Sequence, residues 1–207
     1  MPGFYEFFAG GGMVRAGLGA GWDCLLANDF DARKGLTYQA NWGTGGELTV
    51  GDIRALDAAA LPGRPDLVWG SFPCQDLSLA GHGAGLAGER SGTFYAFWDL
   101  VRGLAADGRA PRLVALVINA DRFTPQSRPR LFVVGIQAEA DIAPDLTAPG
   151  PIAPFHTPAV VRAVARLPDD LRDQALWWNL PSPERRASTF ADLIEDQPDS
   201  VAWHTPA

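Results

Sequence analysis

Cysteine and lysine are both scarce in this chain. Its 207 residues include two cysteines, Cys24 and Cys74, which could pair only in an oxidising compartment. Because no secretory signal is recognisable, we expect both to be free thiols. Lys34 is the only lysine, so arginine carries nearly all the positive charge. Arginine suits bidentate contacts with phosphates and base edges, although codon bias in a GC-rich genome explains the same skew equally well.

Long apolar runs and net positive charge are also missing. No run approaches the ~20 residues that span a bilayer, and residues 1–6 lack the features of a signal peptide. We therefore expect a cytoplasmic protein without a membrane partner. The net charge of −7 argues against a surface that grips nucleic acid everywhere, but it leaves room for a local basic groove. His82, His156 and His204 lie far apart, so no metal site is predicted.

What is present fits one principal globular domain. Hydrophobic residues make up 47% of the chain and charged residues 20%, unlike a disordered protein. Strands are predicted at 4–8, 23–29, 48–53, 66–70, 112–119 and 131–136, and helices at 13–18, 31–41, 93–104 and 158–167. The first four strands end in Gly, Asp or Cys loops. In an open parallel sheet, ligands bind outside the carboxyl ends of the strands, so these loops are predicted to form one site.

The glycine-rich segment 80–92 is too long for a simple turn, and we predict a mobile functional loop. Within it, Gly83, Gly85 and Gly88 fit the pattern G-x-G-x-x-G. A dinucleotide-binding fingerprint requires a strand directly before the glycine pattern, and none is predicted there. A nucleotide-binding oxidoreductase is therefore kept only as a third interpretation.

Cys74 follows Pro73 at the end of the fourth predicted strand. The proline ring fixes the local backbone, so the thiol would face the crevice at the strand ends. A thiolate near a positive group or a helix amino terminus is a reactive nucleophile. A buried structural cysteine is the alternative that this position alone allows.

Six short motifs occur in a fixed order between residues 4 and 136. They are Phe8-Ala9-Gly10-Gly11-Gly12, Asn28-Asp29, Gly51-Asp52-Ile53, Pro73-Cys74-Gln75, the loop through Arg90-Ser91-Gly92, and Gln126-Ser127-Arg128-Pro129-Arg130. In this order they resemble the DNA cytosine methyltransferases, which make 5-methylcytosine with S-adenosylmethionine as methyl donor. The resemblance implies an α/β protein with a three-layer Rossmann-like methyltransferase fold, a mostly parallel but incomplete sheet, and a short irregular C-terminal tail.

The resemblance also implies a catalytic mechanism and double-stranded DNA as the partner. Cys74 would add to carbon 6 of a cytosine flipped out of the duplex, which makes carbon 5 nucleophilic. The loop 79–92 would close over the base, and Arg130 would hold the carbonyl oxygen of the cytosine. A solvated arginine pair is the alternative reading of Arg128 and Arg130. The implied catalytic residues are Cys74, Gln75, Arg128 and Arg130, and the implied DNA contacts are Ser78, Arg90, Gln126 and Arg128.

By the same resemblance, the donor site lies at the first three strand ends. Asp29, where the family usually has glutamate, would accept bonds from the ribose hydroxyls, and Asp52 would bond the adenine amino group. Apolar contacts would come from Phe8, Phe30, Ile53 and Phe94, although ordinary core packing explains these side chains equally well. The full implied donor-binding set is Phe8, Ala9, Gly10, Gly11, Gly12, Asn28, Asp29, Phe30, Asp52, Ile53, Pro73 and Phe94.

The sequence departs from the family pattern after residue 112. Residues 113–116 run directly into 117–123, which resemble the family's next strand, so we infer an internal deletion that removes the Glu-Asn-Val motif. Its glutamate is the general acid of the family, and such a group contributes ~100- to 10,000-fold to a rate. Glu89 is the only carboxylate in the loop that could replace it. We expect a catalytic core at residues 1–142 and a partial, irregular segment of the target-recognition region at 143–207.

Two functions therefore remain open. One is a working methyltransferase, completed by a partner chain that supplies target recognition and the missing glutamate. The other is a catalytically impaired remnant that binds S-adenosylmethionine or DNA without efficient turnover.

Overall fold

The described part of the chain forms two compact units. The computed structural model describes residues 1–72, 92–104, 112–136, 141–173, 175–181, 184 and 186–195. The units are Met1–Gly108 and Arg109–Ala207. The boundary at residue 142 between a catalytic core and a target-recognition segment rests on the family resemblance and stays a prediction.

The first unit contains a four-stranded, wholly parallel sheet in the order β3-β2-β1-β4. Its strands are β1 (Gly3–Phe7), β2 (Asp23–Asp29), β3 (Leu48–Val50) and β4 (Leu67–Gly70), and its helices are α1 (Met13–Leu18), α2 (Ala32–Trp42) and α3 (Thr93–Leu104). The sequence predicted all seven to within a few residues. Because the strands are parallel, their carboxyl ends meet at one edge, as predicted.

The core of this unit is built around β1. Every residue of the strand is buried, and Phe4, Tyr5 and Phe7 are fully buried. A central parallel strand is covered on both faces, which favours a continuous apolar run over alternation. Tyr5 and Phe7 pack in one cluster with Leu26 and Leu100. Full burial of such a side chain stabilises the fold by about 1.5–3 kcal/mol.

Both ends of α2 are set by residues that lie just outside it. The Asp31 side chain accepts a hydrogen bond from the Arg33 N–H at 2.8 Å and caps the amino terminus. Gly43, with φ of 81°, ends the helix, and its N–H donates to the Gln39 carbonyl at 2.8 Å. The helix predicted at 31–41 therefore begins one residue later, because Asp31 is the cap.

In the second unit, β5 (Arg112–Asn119) and β6 (Pro129–Ile136) form an antiparallel pair, with Asn119 opposite Pro129. A connection from 120 to 128 is shorter than the dozen or more residues that a parallel crossover needs. Among the described residues this pair is a sheet of its own, separate from the parallel sheet.

The last third of the chain is more regular than the sequence suggested. It contains β7 (Thr147–Ala148), α4 (Pro158–Val164), α5 (Asp169–Arg172) and β8 (Trp177–Trp178), and β7 pairs with β8. The helix predicted at 158–167 ends at Val164. Leu167 precedes Pro168, a position that disfavours helical backbone, and the last turn tightens through a bond from the Leu167 N–H to the Val164 carbonyl. None of the helices in the described part is long and apolar enough to cross a bilayer.

Substitution of two glycines of the first unit by alanine is predicted to change the free energy of unfolding in opposite directions. Gly12 has φ of 79°, and a Cβ there would lie 2.1 Å from Trp42 Nε1. Gly17 lies inside α1, where a Cβ would meet nothing within 4 Å. We expect Gly12→Ala to lower the free energy of unfolding by about 2–4 kcal/mol. Gly17→Ala should raise it by about 0.5–1 kcal/mol, since alanine is the better helix former.

Urea unfolding of the two variants beside the wild type measures both effects. Effects of the same sign and size would contradict the arrangement of α1 and Trp42.

Candidate functional site

The segment Phe8–Gly12, which we call the glycine turn, joins β1 to α1 at the carboxyl edge of the sheet. Phe8, Gly10 and Gly12 all have positive φ, of 59°, 57° and 79°. The Ala9 N–H donates to the Asn28 carbonyl at 3.0 Å, and the Gly12 N–H donates to the Ala9 carbonyl at 2.9 Å. Positive φ is uncommon outside glycine, so Phe8 marks a strained point at this edge.

A buried carboxylate of β1 accepts hydrogen bonds from the first turn of α1. Glu6 is 2% exposed, and its two oxygens accept bonds from the Val14 N–H at 3.0 Å and the Arg15 N–H at 3.3 Å. Gly12, at the cap position, has no side chain for this purpose, so Glu6 satisfies the first N–H groups of the helix instead. Burial raises the pKa of Glu6, while the two N–H bonds lower it in part.

Asp29 ties the glycine turn to the end of β2. The residue is 4% exposed, and its Oδ2 accepts a bond from the Gly10 N–H at 2.9 Å. Its Oδ1 accepts from the Asp31 N–H at 2.9 Å and lies 4.0 Å from Lys34 Nζ. A carboxylate has about four acceptor positions, so two remain for hydroxyl donors. The neighbouring Asn28 uses its side-chain N–H groups on the Thr49 and Gly51 carbonyls, at 3.0 and 3.1 Å.

Asp52 follows β3 at the same edge of the sheet. It caps the short 3-10 turn Ile53–Ala55, with its Oδ1 accepting from the Arg54 N–H at 2.9 Å. Its Oδ2 forms an ion pair with the Arg54 guanidinium at 3.3 Å. The side chain is partly exposed, so it is accessible to a ligand at the edge.

The four predicted apolar contacts differ in burial. Ile53 is 4% exposed and belongs to the core cluster of Tyr5 and Phe7, and the partly buried Phe8 packs against that cluster. Phe30 is 74% exposed, so core packing does not account for it. Phe94 packs at the start of α3 against Phe72 and Trp98, with ring centroids 5.1 and 6.4 Å away.

A cavity of about 520 Å³ lies between α3 and the segment 53–58. Its apolar wall includes Ile53, Leu56, Tyr95 and Leu100, and Asp57 and Asp99 also line it. Among the described residues it shares only Ile53 with the predicted donor-binding set, so it is not the centre of the site described above.

The second unit carries three of the predicted site residues. Gln126, Arg128 and Arg130 are exposed near the start of β6. The Arg128 N–H donates to Asn119 Oδ1 at 2.7 Å, which fixes the backbone there. The Arg130 guanidinium donates to the Pro129 carbonyl at 3.0 Å. Both arginine side chains are exposed.

Several predictions fall outside the described residues. Pro73, Cys74, Gln75, Ser78 and Arg90 are among them, as are Glu89 and the loop 79–91. The strand before them is described: Gly70 pairs with Phe7, and the Ser71 N–H donates to the Phe7 carbonyl at 3.2 Å. The chain thus leaves β4 at the same edge as the glycine turn.

Sequence reasoning missed three residues that support the turn. Glu6 could have been noticed as the one charge within the aromatic run at 4–8. Asn41 and Trp42 both donate hydrogen bonds to the Gly11 carbonyl. They carry no local signal, because their partner lies 30 and 31 residues away in the sequence.

Comparison with known families now gives this arrangement an identity. Residues 3–106, half of the chain, match the model of the C-5 cytosine-specific DNA methylase family. The chain belongs to this family. Type II methyltransferase M.HpaII of Haemophilus parainfluenzae is 26% identical over 80% of this chain and 54% of its own length. Type II methyltransferase M.DsaV of Dactylococcopsis salina is 31% identical over 65% of this chain and 45% of its own.

This C-5 methylase chain spans about half the length of these curated relatives. Among solved structures, the S. pombe Dnmt2 methyltransferase matches with a TM-score of 0.50 at 17% identity, over 70% of this chain and 54% of that one. This likeness concerns the fold, and it confirms the predicted Rossmann-like methyltransferase architecture.

Because burial raises the pKa of Glu6, we predict that its contribution to the stability of this methylase chain decreases as pH rises. Its pKa in the folded protein lies above the ordinary 4.5, so the folded state keeps the proton to higher pH than the unfolded chain does. Its contribution to the free energy of unfolding therefore falls as pH rises from about 4.5 through the raised pKa. In Glu6→Gln this fall is absent. The stability of the variant relative to the wild type should thus rise with pH.

Urea unfolding between about pH 2 and pH 8 measures this difference and that of the control. Asp31→Asn is the control of opposite sign. The hydrogen bond from the Arg33 N–H lowers the pKa of Asp31 below 3.8, so its contribution is present above that pH and is lost in acid. A pH-independent difference for Glu6→Gln would contradict the burial of an ionisable carboxyl at this position.

Proposed function

We propose that this chain binds S-adenosylmethionine at the glycine turn and transfers its methyl group to carbon 5 of cytosine in double-stranded DNA. One observation carries the proposal: in a chain of the C-5 cytosine methylase family, the buried Asp29 holds the turn in place at the edge where four parallel strands end. The carboxyl edge of a parallel sheet is the ligand-binding edge of such folds.

The side chains at this edge fit an adenosyl group. A Cβ on Gly10 would meet nothing within 4 Å, so the backbone faces open space into which a ligand can come close. Asp29 has two acceptor positions left for the ribose hydroxyls. The exposed Phe30 offers an apolar surface for a flat ring. Asp52, partly exposed, is the acceptor proposed for the adenine amino group.

The chemistry is assigned to Cys74 and the arginines. S-adenosylmethionine, when bound, would supply an electrophilic methyl group to carbon 5, and the electron pair of the broken bond between sulfur and the methyl carbon would stay on the released S-adenosylhomocysteine. The Cys74 thiolate forms a bond to carbon 6, and the electron pair of the 5,6 double bond makes carbon 5 nucleophilic. After methylation, loss of the proton from carbon 5 restores the double bond as the bond between sulfur and carbon 6 breaks. Arg130 would hold the carbonyl oxygen of the base.

A second candidate function is binding without efficient turnover. The sequence contains no Glu-Asn-Val motif, and β5, with the sequence RLVALVIN, contains no carboxylate. A missing general acid costs about 100- to 10,000-fold in rate. If a partner chain supplies the acid and the target recognition, methyl transfer requires both chains. Methyl transfer measured with and without such a chain therefore separates the two candidates.

Donor binding tests the proposal first. Asp29→Asn removes the charge that receives the ribose hydroxyls, and a hydrogen bond to a charged group is worth about 1.5–3 kcal/mol. We therefore expect the Kd for S-adenosylhomocysteine to rise about 10-fold or more in calorimetric titration. Asp57→Asn is the matched control, since Asp57 also accepts a bond from a backbone N–H, that of Ala59 at 3.0 Å, away from the glycine turn. An unchanged Kd in Asp29→Asn would contradict the assigned role.

Methyl transfer tests the second part. Transfer of a labelled methyl group to duplex DNA should be lost in Cys74→Ala, because the variant cannot form the bond to carbon 6. Its Kd for S-adenosylhomocysteine should stay within about twofold of the wild type. Donor binding without transfer by the wild type would select the second candidate. Absence of donor binding would refute the proposed function and would leave only DNA binding for the second candidate.

A further inference from the structure

One carbonyl of the glycine turn receives two side-chain donors from the end of α2. The Gly11 carbonyl accepts from Asn41 Nδ2 at 2.8 Å and from Trp42 Nε1 at 3.0 Å. A carbonyl oxygen has two lone pairs, so the two donors occupy it fully. The Gly11 carbonyl therefore points towards α2.

The other side of the same peptide group is fixed as well. The Gly12 N–H, which follows the Gly11 carbonyl, donates to the Ala9 carbonyl at 2.9 Å. A peptide group held at both its N–H and its C=O cannot rotate without breaking these bonds. Rotation is otherwise easy here, because glycine populates positive and negative φ about equally.

Trp42 is itself held in place. The Arg15 guanidinium lies over the indole ring, 4.8 Å from its centroid. Arg15 also donates to the Tyr38 hydroxyl at 2.9 Å and pairs with Glu47 at 2.5 Å. The indole also fills the space beside Gly12 where a side chain would stand. Its N–H is thus preorganised towards the Gly11 carbonyl.

We propose that Asn41 and Trp42 are positioning residues for the methyl donor, through the peptide group between Gly11 and Gly12. By keeping the Gly11 carbonyl turned to α2, they keep its negative end away from the crevice and hold the turn in one conformation. Preorganisation of this kind lowers the ordering cost of binding. The inference rests on the proposed donor binding at the turn.

Calorimetric titration of the full 207-residue chain with S-adenosylhomocysteine tests it. Trp42→Phe keeps an aromatic ring beside Gly12 and removes the N–H, and Asn41→Ala removes the other donor. Each single variant leaves one donor on the carbonyl, so we expect the Kd to rise about two- to tenfold. The double variant should weaken binding by more than the product of the two single effects, since only it frees the carbonyl.

Matched controls separate positioning from general stability. Asn179 Nδ2 also donates to a backbone carbonyl, that of Asp145 at 2.9 Å, in the second unit. Trp22 packs its ring against Phe4 at the start of β2. Asn179→Ala and Trp22→Phe should leave the Kd within about twofold of the wild type. The amide resonance of Gly12 in the ligand-free protein gives a second readout, which should move in the double variant and stay in place in the controls.

The outcomes distinguish the inference from the function on which it rests. Wild-type binding that is retained in the double variant, with an unmoved Gly12 resonance, would overturn the positioning role and leave donor binding intact. Equal weakening by the control variants would also overturn it, because stability alone would then explain the loss. A wild-type chain that does not bind S-adenosylhomocysteine would overturn the proposed function, and the positioning role with it.

Discussion

The hydrogen bonds between two buried carboxylates and the backbone around the glycine turn hold the functional edge of the sheet in shape. An isolated buried carboxylate is costly, and the first N–H groups of a helix have no partner within the helix. Glu6 meets both needs at the start of α1, and Asp29 does the same for the N–H groups of Gly10 and Asp31. Removal of either carboxylate would leave these partly buried donors without their acceptors.

The shape of the glycine turn is therefore imposed by its surroundings. Three successive glycines favour no single conformation, yet β2 accepts hydrogen bonds from the N–H groups of Ala9 and Gly10, and α2 donates to the Gly11 carbonyl. Asn28 extends this connection to β3 through two bonds from its side chain. The arrangement explains why a flexible sequence can present a defined surface to a ligand.

Local patterns in the sequence were sufficient for most of the first unit. The predicted bounds of α1, β2 and α3 match the structure, because apolar periodicity and turn residues act within a few positions. The end of α4 was predicted three residues too late, since the effect of Pro168 extends backward through the tightened turn before it. The antiparallel pairing of β5 with β6 was not predicted, although the connection from 120 to 128 is too short for a parallel crossover.

The residues of the candidate site that belong to short sequence motifs could be predicted from the sequence. Asp29 and the glycine turn could be recognised in this way, whereas Asn41 and Trp42 act through a carbonyl some 30 residues away. Burial also separated Phe30 from Ile53, which the sequence treated alike. The role of Cys74 stays a prediction from its motif.

The residues proposed for donor binding and the arginines proposed for catalysis lie in different units of this chain. The described bonds that shape the donor edge join residues between Glu6 and Gly51, all within the first compact unit. Arg128 and Arg130 belong to the second unit, in which β5 lacks the family's acidic residue. None of the described bonds at this edge involves a residue of β5, so the proposed donor site does not depend on an acid there. On the proposed assignment, the chain lacks a catalytic group but keeps the bonds that shape the donor site, so donor binding alone is no measure of its activity.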